Sequence, residues 1–368
     1  MKKKINIGLV FGGRSGEHEV SLQSAKSIYE ALDKDKYNVF LIGIDKQGHW
    51  LLGNPANYLL NAQNPKLIAL NRSSATSIVP VNKTDSSEII SLQSGKELAK
   101  IDVFFPIIHG TYGEDGSLQG MLEILNCAYV GSGVIGSALG MDKDVQKRLL
   151  SLAGINVACF MTIMKSQYSK SSLDKIVQKF SLPVFVKPAN LGSSVGISKA
   201  HNLKELEKAI IDAFKYDTKI MVEEYIKGRE IECSVLGNNE PVASVPGEVI
   251  SNHEFYSYEA KYIDENGAGL KIPADLPEKV VKEVQQTAVK TFLTLECYGF
   301  ARVDFFLTAN NKLYVNEINT IPGFTKISMF PKLFGASGIP YSELLNKLIN
   351  LALDKKKEKD KLARSYTP

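Results

Sequence analysis

The chain has 368 residues, of which 44% are hydrophobic and 23% charged, and a formal net charge of +4. That length exceeds what one hydrophobic core usually serves, so two or three domains are expected, and no run reaches the ~18 apolar residues needed to cross a bilayer. The excess charge sits in residues 355–368, where Lys355, Lys356, Lys357, Lys359, Lys361 and Arg364 outnumber Glu358 and Asp360; the body is neutral, which excludes a basic nucleic-acid footprint.

Met1-Lys-Lys-Lys4 followed by Ile5–Phe11 has the outline of a signal peptide, but Asn6 and Gly8 interrupt the apolar run and no small-residue cleavage site follows. A buried first strand is expected instead. It runs into Gly12-Gly13-Arg14-Ser15-Gly16, and a helix opens near Glu17 and reaches Leu32. Strand, glycine turn and helix N-terminus make an anion-binding corner of an α/β domain. Tyr37–Ile44 is the next strand. Residues 51–100 carry weak periodicity, and Asn71–Gly95 is expected to be an irregular or hairpin excursion whose strands cannot be placed.

Asp102–Ile108 is another apolar strand, ending at His109-Gly110 and Gly113-Glu-Asp-Gly116, where an open α/β sheet binds ligands; a lone His there is otherwise a packing or capping residue. Cys127–Val130, read as a strand, then leads into Gly131-Ser-Gly133-Val-Ile-Gly136, a literal G-x-G-x-x-G. The acid expected about 20 residues later, at the end of a second strand, is replaced by a charged helix over Asp142–Leu152. The segment is therefore taken as a turn between domains. Cys127, Cys159, Cys233 and Cys297 form no C-x-x-C pair, so reduced core thiols in a cytoplasmic protein are expected, with no zinc site.

Pro183-Val-Phe-Val-Lys187-Pro188 precedes a loop containing Gly192-Ser193-Ser194-Val195-Gly196. Glycines let backbone N–H groups close over an anion, and Lys187 adds fixed charge, so the loop suits a polyphosphate; a plain Gly/Ser hairpin explains the loop alone equally well. No Walker A loop occurs. An amphipathic helix follows over 203–215. Lys219–Ile226 is a strand with paired acids Glu223 and Glu224, and Gly228–Val235 is its neighbour, so these acids could accept from an adenine amino group and ribose hydroxyls.

Gly299–Thr308 and Leu313–Asn319 are β-rich runs flanking Asn310-Asn311, which is expected to form a two-residue hairpin turn. Counting outward from that turn, Phe306 faces Val315, Asp304 faces Glu317 and Arg302 faces Asn319. Facing acids repel unless neutralised, and Asp304, Glu317 and Asn319 look like a Mg²⁺ site. A pair of strands salt-bridged by Arg302 is the alternative.

Strand-Lys187-Pro188 with its Gly-Ser-Ser-Val-Gly loop, Glu223-Glu224-Tyr225-Ile226-x-Gly228-Arg229-Glu230, Ala301-Arg302-Val303-Asp304 and Asn316-Glu317-Ile318-Asn319-Thr320-x-Pro322-Gly323 together resemble the ATP-grasp carboxylate ligases. The run Gly12–Ser21, His109-Gly110, Gly113–Gly116 and Tyr256-Ser-Tyr258-Glu-Ala-Lys261-Tyr262 is similar to the D-alanine:D-alanine ligases. The likeness covers nearly the whole chain and is weakest over 51–100 and the last fourteen residues.

The resemblance implies a three-domain α/β ATP-grasp fold in which a Rossmann-like N-terminal domain (1–131) accompanies two α+β domains that sandwich ATP. These are a central domain (132–222) and a C-terminal one (223–354), followed by a charged tail (355–368) that is expected to be a solvated charge run. It implies a cytoplasmic enzyme that phosphorylates one D-alanine with ATP and two Mg²⁺ or Mn²⁺ ions, then lets the amine of a second attack, and a homodimer through the first domain. No nucleic acid or membrane partner is implied. Lys143, Lys187, Ser193, Ser194, Glu223, Ile226 and Glu230 would contact nucleotide, and Asp304, Glu317 and Asn319 the metal. Arg302 and the Gly323 N–H would stabilise the oxyanion. Glu17, linked to Ser193 and Tyr262, would hold the first D-alanine beside His109, and Ser328 and Met329 the second. Lys261 and Tyr262 would belong to a lid over about 248–267. The lid segment resembles the peptide-forming branch, favouring D-alanine over D-lactate, with D-serine at the second site as the alternative. The competing readings are a ligase of another carboxylate, a dinucleotide oxidoreductase resting on Gly131–Gly136, and a non-catalytic ATP-binding regulator.

Overall fold

The computed structural model describes residues 3–83, 86–193, 195–251 and 268–363. The apolar run after the N-terminus forms β1 (Ile5–Gly12), buried on both faces as strands of parallel sheets are. Helix α1 (His18–Ala31) returns the chain to β2 (Tyr37–Ile44), which pairs with β1 in parallel from Ile5↔Tyr37 to Gly12↔Ile44. β3 (Trp50–Gly53) pairs antiparallel with β2, and a ribbon of β4 (Leu59–Leu60) and β5 (Ala69–Leu70) lies apart. β6 (Thr76–Lys83), β7 (Ser86–Ser91) and β8 (Glu97–Ile101) complete one wing, and β9 (Val103–Pro106) lies on the other side of β1. The order β8-β7-β6-β3-β2-β1-β9 shows that the unplaced excursion is a meander extending the main sheet. Between β1 and β9 the order reverses, which opens a crevice at their carboxyl ends.

Helices α2 (Ser117–Ile124), α3 (Val134–Met141) and α4 (Lys143–Leu152) cross to the second unit. The Gly131–Gly136 motif is the entry to α3. Before it the chain makes only a single bridge, Phe104↔Tyr129, where a strand was expected. Asp142 caps α4 by accepting from the Val145 N–H, which ends α3 and starts α4 within one residue. β10 (Phe160–Met164), α5 (Lys170–Lys179), β11 (Val184–Pro188), β12 (Ser198–Ala200), α6 (Leu203–Ala213) and β13 (Lys219–Glu224) then form an antiparallel sheet, order β10-β13-β11-β12. Leu206, Ala209, Ile210 and Ala213 of α6 line one helical face and bury it against Val184, Val186 and Val222.

The third sheet contains β14 (Arg229–Gly237), β15 (Val242–Ala243), β16 (Gly247–Ser251) and β17 (Ala268–Lys271). Helix α7 (Glu278–Thr294) precedes β18 (Gly299–Leu307) and β19 (Leu313–Asn319). Val280, Val284, Ala288 and Phe292 of α7 pack on Ile231, Cys233, Ala301, Val303 and Phe305, so one face of β14 and β18 is core and the other is left open. α8 (Met329–Ala336) and α9 (Tyr341–Asp360) follow. Phe324, Phe330 and Phe334, with Leu344, Leu345 and Leu348 of α9, share one core with Phe11 and Phe105 of the first sheet. At about 1.5–3 kcal/mol for each large side chain buried, this shared core fixes the first unit to the third.

The hairpin departs from expectation in an informative way. Its loop has three residues, not two: Thr308 faces Lys312, the Asn311 N–H donates to the Thr308 carbonyl, and Asn311 takes a φ of 59°. That shifts the register by one, giving Phe306↔Tyr314 and Phe305↔Val315 in place of Phe306 facing Val315. A bulge at Asn316 shifts it back, restoring Asp304↔Glu317 and Arg302↔Asn319. Leu313 and Val315 therefore face the core, whereas Asn316, Glu317 and Asn319 all reach the open face. Without the bulge Glu317 would follow Val315 into the apolar side.

Two smaller expectations also change. Cys127, Cys233 and Cys297 are buried thiols, but Cys159 is exposed. The basic tail does not begin as a free run: residues 355–360 complete α9, Lys359 pairs with Glu123, and the Lys355 ammonium lies 3.2 Å from the Tyr298 ring centroid. Each contact is worth about 1 kcal/mol or less. Truncation after residue 354 should lower Tm by roughly 2 °C while leaving turnover at 25 °C unchanged, as thermal denaturation and steady-state assay would show.

Candidate active site

The crevice of the first sheet is built by glycines. Gly12 has φ +89°, and a Cβ there would lie 2.3 Å from the Ile44 carbonyl oxygen, so the turn tolerates no side chain. It delivers Glu17 just ahead of α1. The Glu17 carboxylate accepts from the Ser193 hydroxyl of the loop between β11 and β12, joining the first unit to the second. Gly110 and Gly192 close on it so tightly that a Cβ at either would stand 2.8 or 3.0 Å from Oε2.

His109 is buried beside this carboxylate. Its Nδ1 lies 2.8 Å from the Ile321 carbonyl oxygen and its Nε2 3.0 Å from Ser24 Oγ; burial holds its pKa below the ordinary histidine value. Glu114, five residues on, accepts from the Gly110 N–H at 2.6 Å and the Ile321 N–H at 2.9 Å. Loss of solvent, and then the neighbouring Glu17 charge, push its carboxyl up to about 8.

On the second unit α4 presents Lys143 and Lys147 one turn apart, both buried and on the same face. Lys143 Nζ donates to the Leu191 carbonyl at 2.7 Å and sits 3.3 Å from Glu317. Glu223 lies between Lys187, at 2.6 Å, and Lys147, at 3.1 Å. Burial alone would raise the Glu223 pKa, but the two ammoniums outweigh it and keep the carboxyl below its ordinary range. Lys147 was not among the expected site residues. Its only sequence signal is its position four residues after Lys143 on a helix. The neighbouring acid Glu224 accepts from the Cys159 N–H at 2.7 Å, so the paired acids of β13 divide into one facing lysines and one bracing the chain. Ile226 is half-buried in the segment joining β13 to β14, and Glu230 stands on β14 opposite Phe306.

The open face of the third sheet carries the expected polar set. Arg302 grips Asp304 with two bonds of 2.7 Å and reaches Glu232 at 2.9 Å, while Asn319 Nδ2 donates to Asp304 at 3.0 Å. Asp304 and Glu317 face each other in adjacent strands, and Lys187 Nζ meets Asn316 at 3.5 Å. Two carboxylates and an amide that can turn its oxygen inward fit a hard divalent ion. Among the described residues no three His, Cys, Asp or Glu side chains cluster into a metal cage. Gly323 follows at the turn after β19, and a Cβ there would lie 2.9 Å from Ser328 Oγ. Ser328 also bonds Thr325 Oγ1 at 2.7 Å, whereas the Met329 side chain packs under Val249 and Leu333. Ser194, Lys261 and Tyr262 lie outside the described residues.

Two family models, described as D-ala D-ala ligase N-terminus and C-terminus, match residues 6–132 and 149–350. The chain belongs to the D-alanine–D-alanine ligase family. Within this family it is 53% identical to a D-alanine--D-alanine ligase of Oceanobacillus iheyensis over 99% of both chains. A solved D-alanine-D-alanine ligase of Coxiella burnetii superposes with a TM-score of 0.84 at 41% identity, covering 97% of this chain and 96% of the other. A D-Ala:D-Ser ligase of Enterococcus faecalis gives 0.83 at 34% identity, covering 95% and 100%. The fold is accordingly that of the ATP-grasp ligases, and among the described residues no helix is long and apolar enough to cross a membrane.

Because the folded state holds His109 below its unfolded pKa, the stability it contributes is present above about pH 6.5 and lost as pH falls. Between pH 7.5 and 5.5 the wild-type protein should lose more stability than His109→Asn, measured as the difference in urea midpoints.

Proposed function

We propose that the protein joins two D-alanines to D-alanyl-D-alanine, converting ATP to ADP and phosphate, in the service of peptidoglycan synthesis. The observation that carries this reading is the bond between Glu17 and Ser193, which sets an ammonium-binding carboxylate against the phosphate loop, within one cleft that also holds the acidic face of β18 and β19.

A carboxylate resists a nucleophile until one oxygen becomes a good leaving group. In the first step a carboxylate oxygen of D-alanine attacks the γ-phosphorus of ATP, forming an acyl phosphate and releasing ADP. In the second, the neutral amine of another D-alanine attacks the acyl carbon, and phosphate leaves from the tetrahedral intermediate. Glu17, in contact with Ser193, holds the ammonium of the first substrate. Lys143 and Lys187 neutralise nucleotide phosphates over the loop of Ser193 and Ser194, with Glu223, Ile226 and Glu230 around the nucleoside. Lys147 keeps Glu223 in place. Asp304, Glu317 and Asn319 hold Mg²⁺ or Mn²⁺, which supplies charge neutralisation at the transferred phosphoryl group. Arg302, aligned by Asp304 and Glu232, and the Gly323 N–H face the oxyanion. Ser328 and Met329 border the second amino acid. Lys261 and Tyr262 belong to a lid that excludes water from the acyl phosphate. Domains bounded near residues 131 and 222, a homodimer through the first of them, and a cytoplasmic location complete the reading.

D-alanine is favoured at both positions because the curated relatives at 52–53% identity over nearly the whole chain are D-alanine--D-alanine ligases. ADP release should require D-alanine and not L-alanine or D-lactate; no stimulation by D-alanine over buffer refutes the assignment. Glu317→Gln should lower kcat by about 10²-fold at limiting Mg²⁺ without changing Tm by more than about 2 °C. An unchanged rate there would remove Glu317 from the metal site.

A further inference from the structure

The turn Ile321–Phe324 belongs to the third sheet's exit, yet the groups that hold it come from the first. The Ile321 N–H donates to Glu114 Oε1 at 2.9 Å, and its carbonyl oxygen lies 2.8 Å from His109 Nδ1. The Phe324 N–H donates to Ser24 Oγ at 3.3 Å. Ser24, fully buried on α1, is itself 3.0 Å from His109 Nε2.

These contacts admit one arrangement of protons. The Ile321 carbonyl oxygen can only accept, so the ring proton sits on His109 Nδ1, and Ser24 Oγ, while accepting from the Phe324 N–H, gives its own hydrogen to Nε2. That nitrogen is then the acceptor of a neutral ring, and Nδ1 carries the proton donated to the Ile321 carbonyl. Pro322 has no N–H. With Ile321 and Phe324 both engaged, the Gly323 N–H is the one backbone donor of the turn with no partner among the described residues.

We propose that Ser24, His109 and Glu114 are positioning residues that aim the Gly323 N–H at the oxyanion of the tetrahedral intermediate. His109 thus serves chemistry through the turn behind it and not by holding substrate. The inference rests on the reading of Gly323 as an oxyanion donor given above. It also means that the first sheet, which carries Glu17, sets the geometry of a donor that belongs to the third.

Ser24→Ala, Ser24→Thr and Glu114→Gln test it, each checked for an unaltered Tm before assay. Losing aim costs less than deleting an oxyanion donor, which is worth about 10²–10³ in kcat. Ser24→Ala and Glu114→Gln should lower kcat about tenfold or more while KM for D-alanine and for ATP stays within about twofold, and Ser24→Thr, which restores the hydroxyl, should recover most of the rate. Affinity for a tetrahedral phosphinate dipeptide analogue, measured with ATP present, should fall in each variant by the same factor as kcat/KM. Weakened D-alanine binding with kcat unchanged would overturn the proposal by returning the network to the substrate pocket. Tight binding of the analogue by the wild type that the variants retain would overturn it while leaving the Gly323 reading intact. Wild-type protein binding the analogue no better than the dipeptide would overturn the Gly323 reading, and this inference with it.

Discussion

Asp304 and Glu317 face each other across β18 and β19, and two carboxylates on one face of a sheet must be answered by positive charge. The chain answers with residues from different units: Arg302 from the same strand grips Asp304, and Lys143 from α4 reaches Glu317. Lys143 also holds the Leu191 carbonyl at the start of the Gly192–Gly196 loop, and Lys187 meets both Glu223 and Asn316. A single electrostatic chain therefore runs from the third sheet through α4 to the second. Its cations and anions are paired with one another across the cleft. That limits the desolvation cost of keeping so many ionised groups in a partly enclosed cleft.

Much of this was legible because it depends on short-range rules. Facing positions across a hairpin follow from period-two alternation, and the Asp304–Glu317 and Arg302–Asn319 pairs emerged at the correct register. They did so through two offsetting departures. The loop is one residue longer than Asn310-Asn311 suggests, and the bulge at Asn316 takes up the difference. Neither event has a local signature: Asn is compatible with both turn lengths, and a bulge is decided by which side chains the core accepts. The apolar strand Ile5–Phe11 and its glycine corner were equally plain, because a fully buried strand leaves a continuous hydrophobic run.

What sequence could not supply were contacts between residues far apart. Ser24 and Lys147 carry no motif of their own, and Glu114 stands in the Gly113–Gly116 motif with nothing local to say what it holds. Each matters because folding sets it against a partner 76 or more positions away: Ser24 against Phe324, Glu114 against Ile321, Lys147 against Glu223. The meander β6–β8 escaped for a different reason. It lies at one side of its sheet with alternating and partly polar strands, where pairing with a neighbour and not burial decides the outcome. The final helix turns were mistaken for a solvated run because charge density says nothing of whether a preceding apolar helix, here Leu344–Ala352, continues beneath it.

The aromatic cluster of Phe105, Phe300, Phe324 and Phe330 spans the seam between the first sheet and the third, with ring centroids 5.1–6.2 Å apart. Such a seam makes the N-terminal unit a poor candidate for independent excision or exchange. A hybrid built by grafting a relative's first 130 or so residues would inherit one half of a jigsaw whose other half lies some two hundred positions downstream. A change of volume at Phe105 must consequently be matched at Phe300, Phe324 or Phe330 for this seam to stay filled.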